Sequence, residues 1–155
     1  MWKIEECSIE SFVKSNDDKE AAENLKKEFD RYGSDKSAHH NYELFYGPIL
    51  KNTQKITAVC EIGIGTNHAD IVSHMGAAGH PGASLRAFRD FLPKANIYGA
   101  AIDRRILFSE ERIKTYFVDQ LDDASFKELQ NIPEDLDLFI DDGLHSVDAN
   151  IISLQ

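Results

Sequence analysis

The run "KITAVCEIGIG", residues 55–65, most restricts what this chain can fold into. Its apolar part is short, rich in Ile and Val, and closes on Gly63 and Gly65. It is too short for an ordinary helix and too continuous for a strand with one wet face. It reads as a strand covered on both sides, the kind found in parallel sheets. "ANIYGAAID", "RIKTYFVDQ" and "LDLFIDD" repeat the pattern, giving four strands in all. Helical stretches separate them. "ASLRAFRDFL" carries Leu85, Phe88, Phe91 and Leu92 on one side and is stopped by Pro93. "ASFKELQNI" is the next helix, and "SVDANIISL" the last, with Val147, Ile151 and Leu154 on one face. Strands alternating with helices specify the α/β class with a parallel sheet.

Upstream, residues 8–31 read as helix, with Ile9, Phe12 and Val13 and then Ala22, Leu25 and Phe29 at helical spacing. A loop at 33–35 leads to a short helix bearing Tyr42, Phe45, Tyr46 and Ile49. Residues 1–50 are therefore expected to form an N-terminal helical extension or cap. Residues 51–155 form the α/β part, in one domain overall.

The length of 155 residues allows one real core. The net charge of -10 argues against nucleic acid as a partner, because such binding needs clustered cations. The acids are concentrated: residues 117–148 hold ten of them against one base, Lys127. Such a run is usually a solvated face, and it could also collect a divalent cation. Cys60 lies inside the first strand and reads as a small buried hydrophobe; with Cys7 it forms no paired spacing for a disulfide framework or a zinc site. There is no run of 18 apolar residues and no leader pattern, so a soluble, cytoplasmic chain with no membrane partner is expected.

The glycine turn "EIGIGTNH" stands at a strand end, where a backbone without Cβ atoms lets a ligand approach. A dinucleotide fingerprint is one reading, but His68 stands where its third glycine belongs and no helix starts promptly. A plain strand-to-loop turn is another. The order of motifs is more specific: "EIGIG", then "PGASLRAFRDFLPKANIYGA", then "FVDQ", then "FIDDGLH". In this order the chain resembles the class I S-adenosylmethionine (SAM) dependent methyltransferases. It resembles in particular a branch related to macrolide sugar O-methyltransferases and cephalosporin hydroxylase-like proteins. The similarity runs over roughly residues 31–155.

The resemblance implies a Rossmann-like methyltransferase fold with strand order 3-2-1-4 and SAM as cofactor. The glycine loop with Glu61, Gly63 and Gly65 would cradle the methionine part, with Glu61 attracting its ammonium and Ser84, near a helix N-terminus, facing its carboxylate. The segment "SDKSAHHNYELFY" would fold over the pocket, placing Lys36, His40, Tyr42 and Tyr46 there; Lys36 would suit the cofactor carboxylate, and the rings have an alternative as core anchors. Relatives read "GADID" where this chain reads "GAAID". Ala101 thus replaces the acid that forks onto both ribose hydroxyls, and either Asp103, two residues on, takes over or SAM binds more weakly. Asp119 and Gln120 match the adenine-binding turn, with an acidic turn as the alternative for Asp119.

In "IDDGLH", Asp142 matches a divalent-metal ligand, suited to Mg²⁺, and His145 matches the general base on the acceptor hydroxyl. A plain turn at Asp141, Asp142 and Gly143 is the alternative. Family members continue with further strands, one of which carries an acidic pair completing the metal site. The chain is therefore expected to be C-terminally truncated relative to them. Two functions follow from the resemblance: O-methyl transfer to a small-molecule acceptor, or a non-catalytic SAM-binding remnant. Strand four, with Leu136, Leu138 and Ile140, would be an open parallel edge prone to self-association.

Overall fold

The computed structural model describes residues 7–72 and 74–153. Leu154, expected on the buried face of the last helix, lies outside the described residues, as do residues 1–6 of the extension.

The N-terminal helical stretch breaks in two. A 3₁₀ turn covers Ile9–Phe12, and helix α1 runs from Asn16–Tyr32. The break falls at Ser15, whose hydroxyl accepts from the Asp18 N–H while the Asp18 side chain accepts from the Ser15 N–H. This reciprocal cap satisfies N–H groups that a new helix leaves unpaired, so it starts a helix where periodicity alone suggests continuity. Gly33 ends α1 in the left-handed region, at φ 69°. Two short helices follow, α2 at Asp35–Ala38 and α3 at Glu43–Ile49. Helix α3 lies close against α1: a Cβ at Gly47 would fall 2.5 Å from the Ala22 Cα.

The sheet consists of β1 (Ala58–Ile62), β2 (Asn96–Ala101), β3 (Ser109–Glu110), β4 (Ile113–Phe117) and β5 (Leu138–Asp141), in the order β3-β4-β2-β1-β5. The four longer strands are parallel and follow the expected order 3-2-1-4. The short antiparallel β3, which periodicity did not indicate, adds to one edge. All five residues of β1 are buried, as its continuous apolar run requires. The Asp137 carboxylate fixes the start of the β1–β5 pair, accepting from the N–H groups of Thr57 (2.7 Å) and Ala58 (3.1 Å). At the same amino end of the strands, the Arg112 guanidinium donates to the carbonyls of Arg89, Leu92 and Ala95, closing the C-terminus of helix α4 (Ala83–Phe91).

The two faces are covered unequally. On one, Leu25 and Phe29 of α1 meet Leu85 and Phe88 of α4 over Val59, Ile97 and Ile113. The Phe29 and Phe88 rings meet edge to face at 5.4 Å, and Tyr46 packs on Phe88 at 5.7 Å. The other face has a smaller cluster of Ile62, Ala100 and Val118, backed by Phe126, Leu129 and Phe139.

Two expectations are corrected on that thinner face. Residues 124–132 are expected as a helix; the structure has a 3₁₀ stretch at Asp123–Asn131, capped by Asp122. Helix α5 (Val147–Ser153) forms, but Val147 is 75% exposed and Ile151 53%; Ala149 is the residue it buries. Burial of an apolar stripe needs an opposing surface, and the described residues provide none for that stripe. Strand β5 pairs with β1 and, among the described residues, has no strand on its outer side. Ile140 is buried through its β1 side, while Leu136 and Leu138 are half-buried.

The α1–α3 contact makes a direct prediction. Gly47→Ala must force these helices apart, and overpacking of this kind costs about 1–3 kcal/mol. A lowered midpoint in urea denaturation is the expected result, with Ala87→Gly serving as a control that removes volume instead of adding it.

Candidate functional site

A cavity of about 660 Å³ opens at the carboxyl ends of β1, β2, β4 and β5. This is where open parallel sheets bind ligands, since the loops leaving the strands diverge there. The residues singled out in the motifs line it, Tyr46 excepted: Lys36, His40, Tyr42, Glu61, Gly63, Gly65 and Ser84 on one side, and Asp103, Asp119, Gln120, Asp142 and His145 around the rest. Ile62, Ala101, Val118 and Leu121 supply an apolar stretch between these polar groups.

The glycine turn follows directly from β1. Side chains alternate along the strand, so Glu61 emerges on the same face as Val59, toward α4. There its carboxylate is 1% exposed and accepts from the Ser84 hydroxyl at 2.6 Å. Ser84 thus reaches the cavity through Glu61. Gly63 has φ 90°, and a Cβ on it would fall 2.1 Å from the Asp142 carbonyl oxygen. The absence of a side chain at Gly63 lets the β1 turn and the "IDDGLH" turn lie against each other.

Lys36, carried by α2, enters the cavity already paired. Its ammonium is 3.0 Å from Glu61 Oε1 and 2.5 Å from Asp142 Oδ2, with the Tyr42 ring centroid at 5.8 Å. His40 stacks on Tyr42 at 5.3 Å. Burial works against the Lys36 charge, but Glu61 and Asp142 outweigh it and hold its pKa above the usual value. For Glu61, burial is the largest influence and raises its pKa, against the pull of Lys36 and Ser84. Tyr46, expected near the pocket, lies mainly in the core, and burial pushes its phenol up to about 12.

Asp103 lies beyond the end of β2, where it caps the 3₁₀ turn Arg104–Ile106. It does not present a free fork. One oxygen accepts from Arg105 Nε at 2.7 Å, and the other accepts from the Thr66 hydroxyl at 2.7 Å and from the Arg105 guanidinium at 3.0 Å. These donors, Arg105 first, hold its carboxyl well below the usual range. The same guanidinium reaches Asp70, at 3.0 and 3.1 Å, tying the loop after β1 to the end of β2.

Gln120 is 6% exposed and its amide is engaged throughout. Its Nε2 donates to Asp141 Oδ1 (2.9 Å) and to the Ser153 hydroxyl (2.8 Å), while Oε1 accepts from the Leu144 N–H at 2.6 Å. An amide nitrogen has two hydrogens, and both are taken. Gln120 therefore links the end of β4 to the 141–144 turn and to α5. Asp119, half-buried, accepts from the Leu121 N–H at 2.9 Å, as an acidic turn residue does. His145 is largely exposed, its Nε2 3.7 Å from Asp142 Oδ1. Among the described residues, no group of three His, Cys, Asp or Glu side chains converges as a metal site. Asp142 alone does not satisfy a divalent cation, which takes six or more oxygens, and its Oδ2 is held by Lys36.

The missed partners, Thr66, Arg105 and Asp70, form the network around Asp103. The nearness of Arg105 to Asp103 in the sequence is the signal that could have found that pair.

No family model matches the chain. At the sequence level it is 32% identical over 124 residues to 8-demethyl-8-alpha-L-rhamnosyl tetracenomycin-C 2'-O-methyltransferase of Streptomyces olivaceus, covering 79% of this chain and 30% of that protein. Among solved structures it is similar to MycE methyltransferase of the mycinamycin biosynthetic pathway in complex with Mg and SAH. The TM-score is 0.68 at 26% identity, over 84% of this chain and 34% of that one. A second MycE structure, with Mg, SAH and mycinamycin VI, gives 0.67 at 27% identity, over 84% and 32%. The chain is similar in sequence and in fold to SAM-dependent O-methyltransferases. Its mixed α/β sheet matches the Rossmann-like methyltransferase fold. The chain spans about a third of the length of the relatives it matches. None of its described helices is long and apolar enough to cross a membrane.

The Gln120 clamp is testable. Gln120→Ala removes three hydrogen bonds, each with a net value of about 0.5–1.5 kcal/mol. Hydrogen exchange at the Leu144 amide should accelerate by at least about tenfold, while exchange at the Ile97 amide in β2 should change much less.

Proposed function

We propose that the cavity binds SAM and that the chain serves O-methyl transfer to a hydroxyl of a small-molecule acceptor. The observation that carries this is the convergence of all the motifs on one cavity with a negative floor. Glu61 and Asp142 outnumber Lys36 there, so the site favours a ligand with cationic groups. The size of the cavity suits a cofactor of this class. The relatives named above are an O-methyltransferase and a methyltransferase holding SAH.

In this reading Glu61, Gly63, Gly65, Ser84 and Lys36 hold the methionine part, with His40 and Tyr42 covering it. Asp103, Asp119 and Gln120 border the ribose and adenine, Gln120 by shaping the turn. The bound cofactor supplies an activated methyl group. His145, 3.7 Å from Asp142, accepts the proton of the acceptor hydroxyl. Mg²⁺, which the MycE structures contain, would need ligands beyond Asp142 to be held here. Residues 1–50 act as the cap in this scheme and 51–155 as the cofactor-binding part. A cytoplasmic setting belongs to the same reading.

Calorimetry with SAH tests it. The chain should bind SAH, and Ala101→Asp, which returns a carboxylate to the end of β2, should bind about tenfold or more tightly, the value of one charge-assisted contact. Binding by neither protein would overturn the reading. Self-association through the β5 edge is a separate proposal, supported by that strand's half-buried Leu138 and lack of an outer neighbour among the described residues. Sedimentation should show a concentration-dependent dimer, and Leu138→Lys should weaken it; a monomer at high concentration contradicts it.

A further inference from the structure

Two carboxylates and one cation meet at the floor of the cavity. Glu61 and Asp142 come from the ends of different strands, and both place an oxygen on the same ammonium. Converging carboxylate oxygens are the arrangement that recruits a hard divalent cation. Here a side chain of the protein already holds the point of convergence. Lys36 is 3% exposed, so this is no surface lysine sampling solvent. Its backbone is fixed as well: the Lys36 carbonyl accepts from the Tyr42 N–H at 2.9 Å, and the Ser34 hydroxyl caps the turn that carries it.

We propose that Lys36 is a built-in cation that occupies the position between Glu61 and Asp142 and sets the divalent-metal affinity of the cavity. A metal reaches Asp142 Oδ2 only by displacing the ammonium or by sharing a carboxylate with it. Sharing is unfavourable, because like charges a few ångströms apart repel strongly where water is scarce. The two acids are meanwhile neutralised in part without any metal, so the cofactor side of the cavity is assembled in its absence. This inference rests on the reading of Asp142 as the metal-ligating position. It concerns the affinity of that position and leaves open what else a longer protein adds to it.

The test uses Mn²⁺ alone, with no nucleoside present, followed by calorimetry and by paramagnetic broadening of amide signals. In the unaltered chain, broadening at residues 141–145 should need millimolar Mn²⁺. Lys36→Met should bind Mn²⁺ at least about tenfold more tightly, with broadening at Gly63 and Gly143, since the repelling charge is gone and two acids are left without a partner. Lys36→Arg should behave like the unaltered chain, and adding Asp142→Asn to Lys36→Met should abolish the gain. Removing a buried cation can also unfold a protein. If Lys36→Met does not fold, Lys36→Gln, which removes the charge and keeps an amide donor beside the two acids, carries the same expectation. The proposal is overturned if the unaltered chain binds Mn²⁺ at 141–145 as tightly as the variant, or if the folded variant gains nothing. Failure to bind SAH would sink the cofactor reading and would leave the metal result standing.

Discussion

The burial of Lys36 with Glu61 and Asp142 is the constraint on which the rest of the site depends. Removing a charged group from water costs several kcal/mol, and only close, well-placed partners offset this. The partners come from three distant parts of the chain: the helical cap, the end of β1 and the end of β5. Lys36 meets both of its partners only when all three parts are in place. The cluster therefore couples the position of the cap to the position of the turn that carries His145. Gly63 serves the same coupling, because a side chain there would push the Asp142 backbone away from β1.

Around this cluster the sheet is covered unequally, and the inequality places the function. The α1–α4 side is a dense core with interlocked aromatic rings. It gives β1 a rigid backing, so Glu61 and Ser84 are held by packing as well as by their hydrogen bond. The opposite side is thinner and ends in α5, with Val147 and Ile151 exposed, and in the open edge of β5. The His145 turn lies next to that side and is braced there by Gln120. The cofactor half of the cavity is thus the better supported half, and the proposed acceptor half the more open.

The sheet was legible in the sequence because buried parallel strands leave continuous apolar runs, and "ITAVCEI" and "LDLFID" are such runs. The order of motifs also indicated the cavity, since strand ends in this topology converge. What remained hidden was hydrogen-bond competition. Nothing in the spacing shows that Asp103 is bound by Thr66, that both Gln120 hydrogens are taken, or that Lys36 bridges two acids. These pairings depend on loops whose course periodicity does not report. The break at Ser15 was readable from its Asp18 partner three residues on, a capping signal that competes with helical spacing and wins. The exposed stripe of α5 was misjudged for the converse reason: an apolar pattern states what a helix can bury, while burial needs a surface to meet it.

The central claim is that one cavity, assembled around the Lys36–Glu61–Asp142 cluster, receives the S-adenosyl ligand. Titration of isotope-labelled protein with SAH, followed by amide chemical shifts, tests it most directly. The account predicts saturable shifts concentrated at residues 61–66, 118–121 and 141–145 and at Lys36, with little change at Ala21 or Asn24 on the far side of α1. An unchanged spectrum, or shifts centred away from the strand ends, would contradict it.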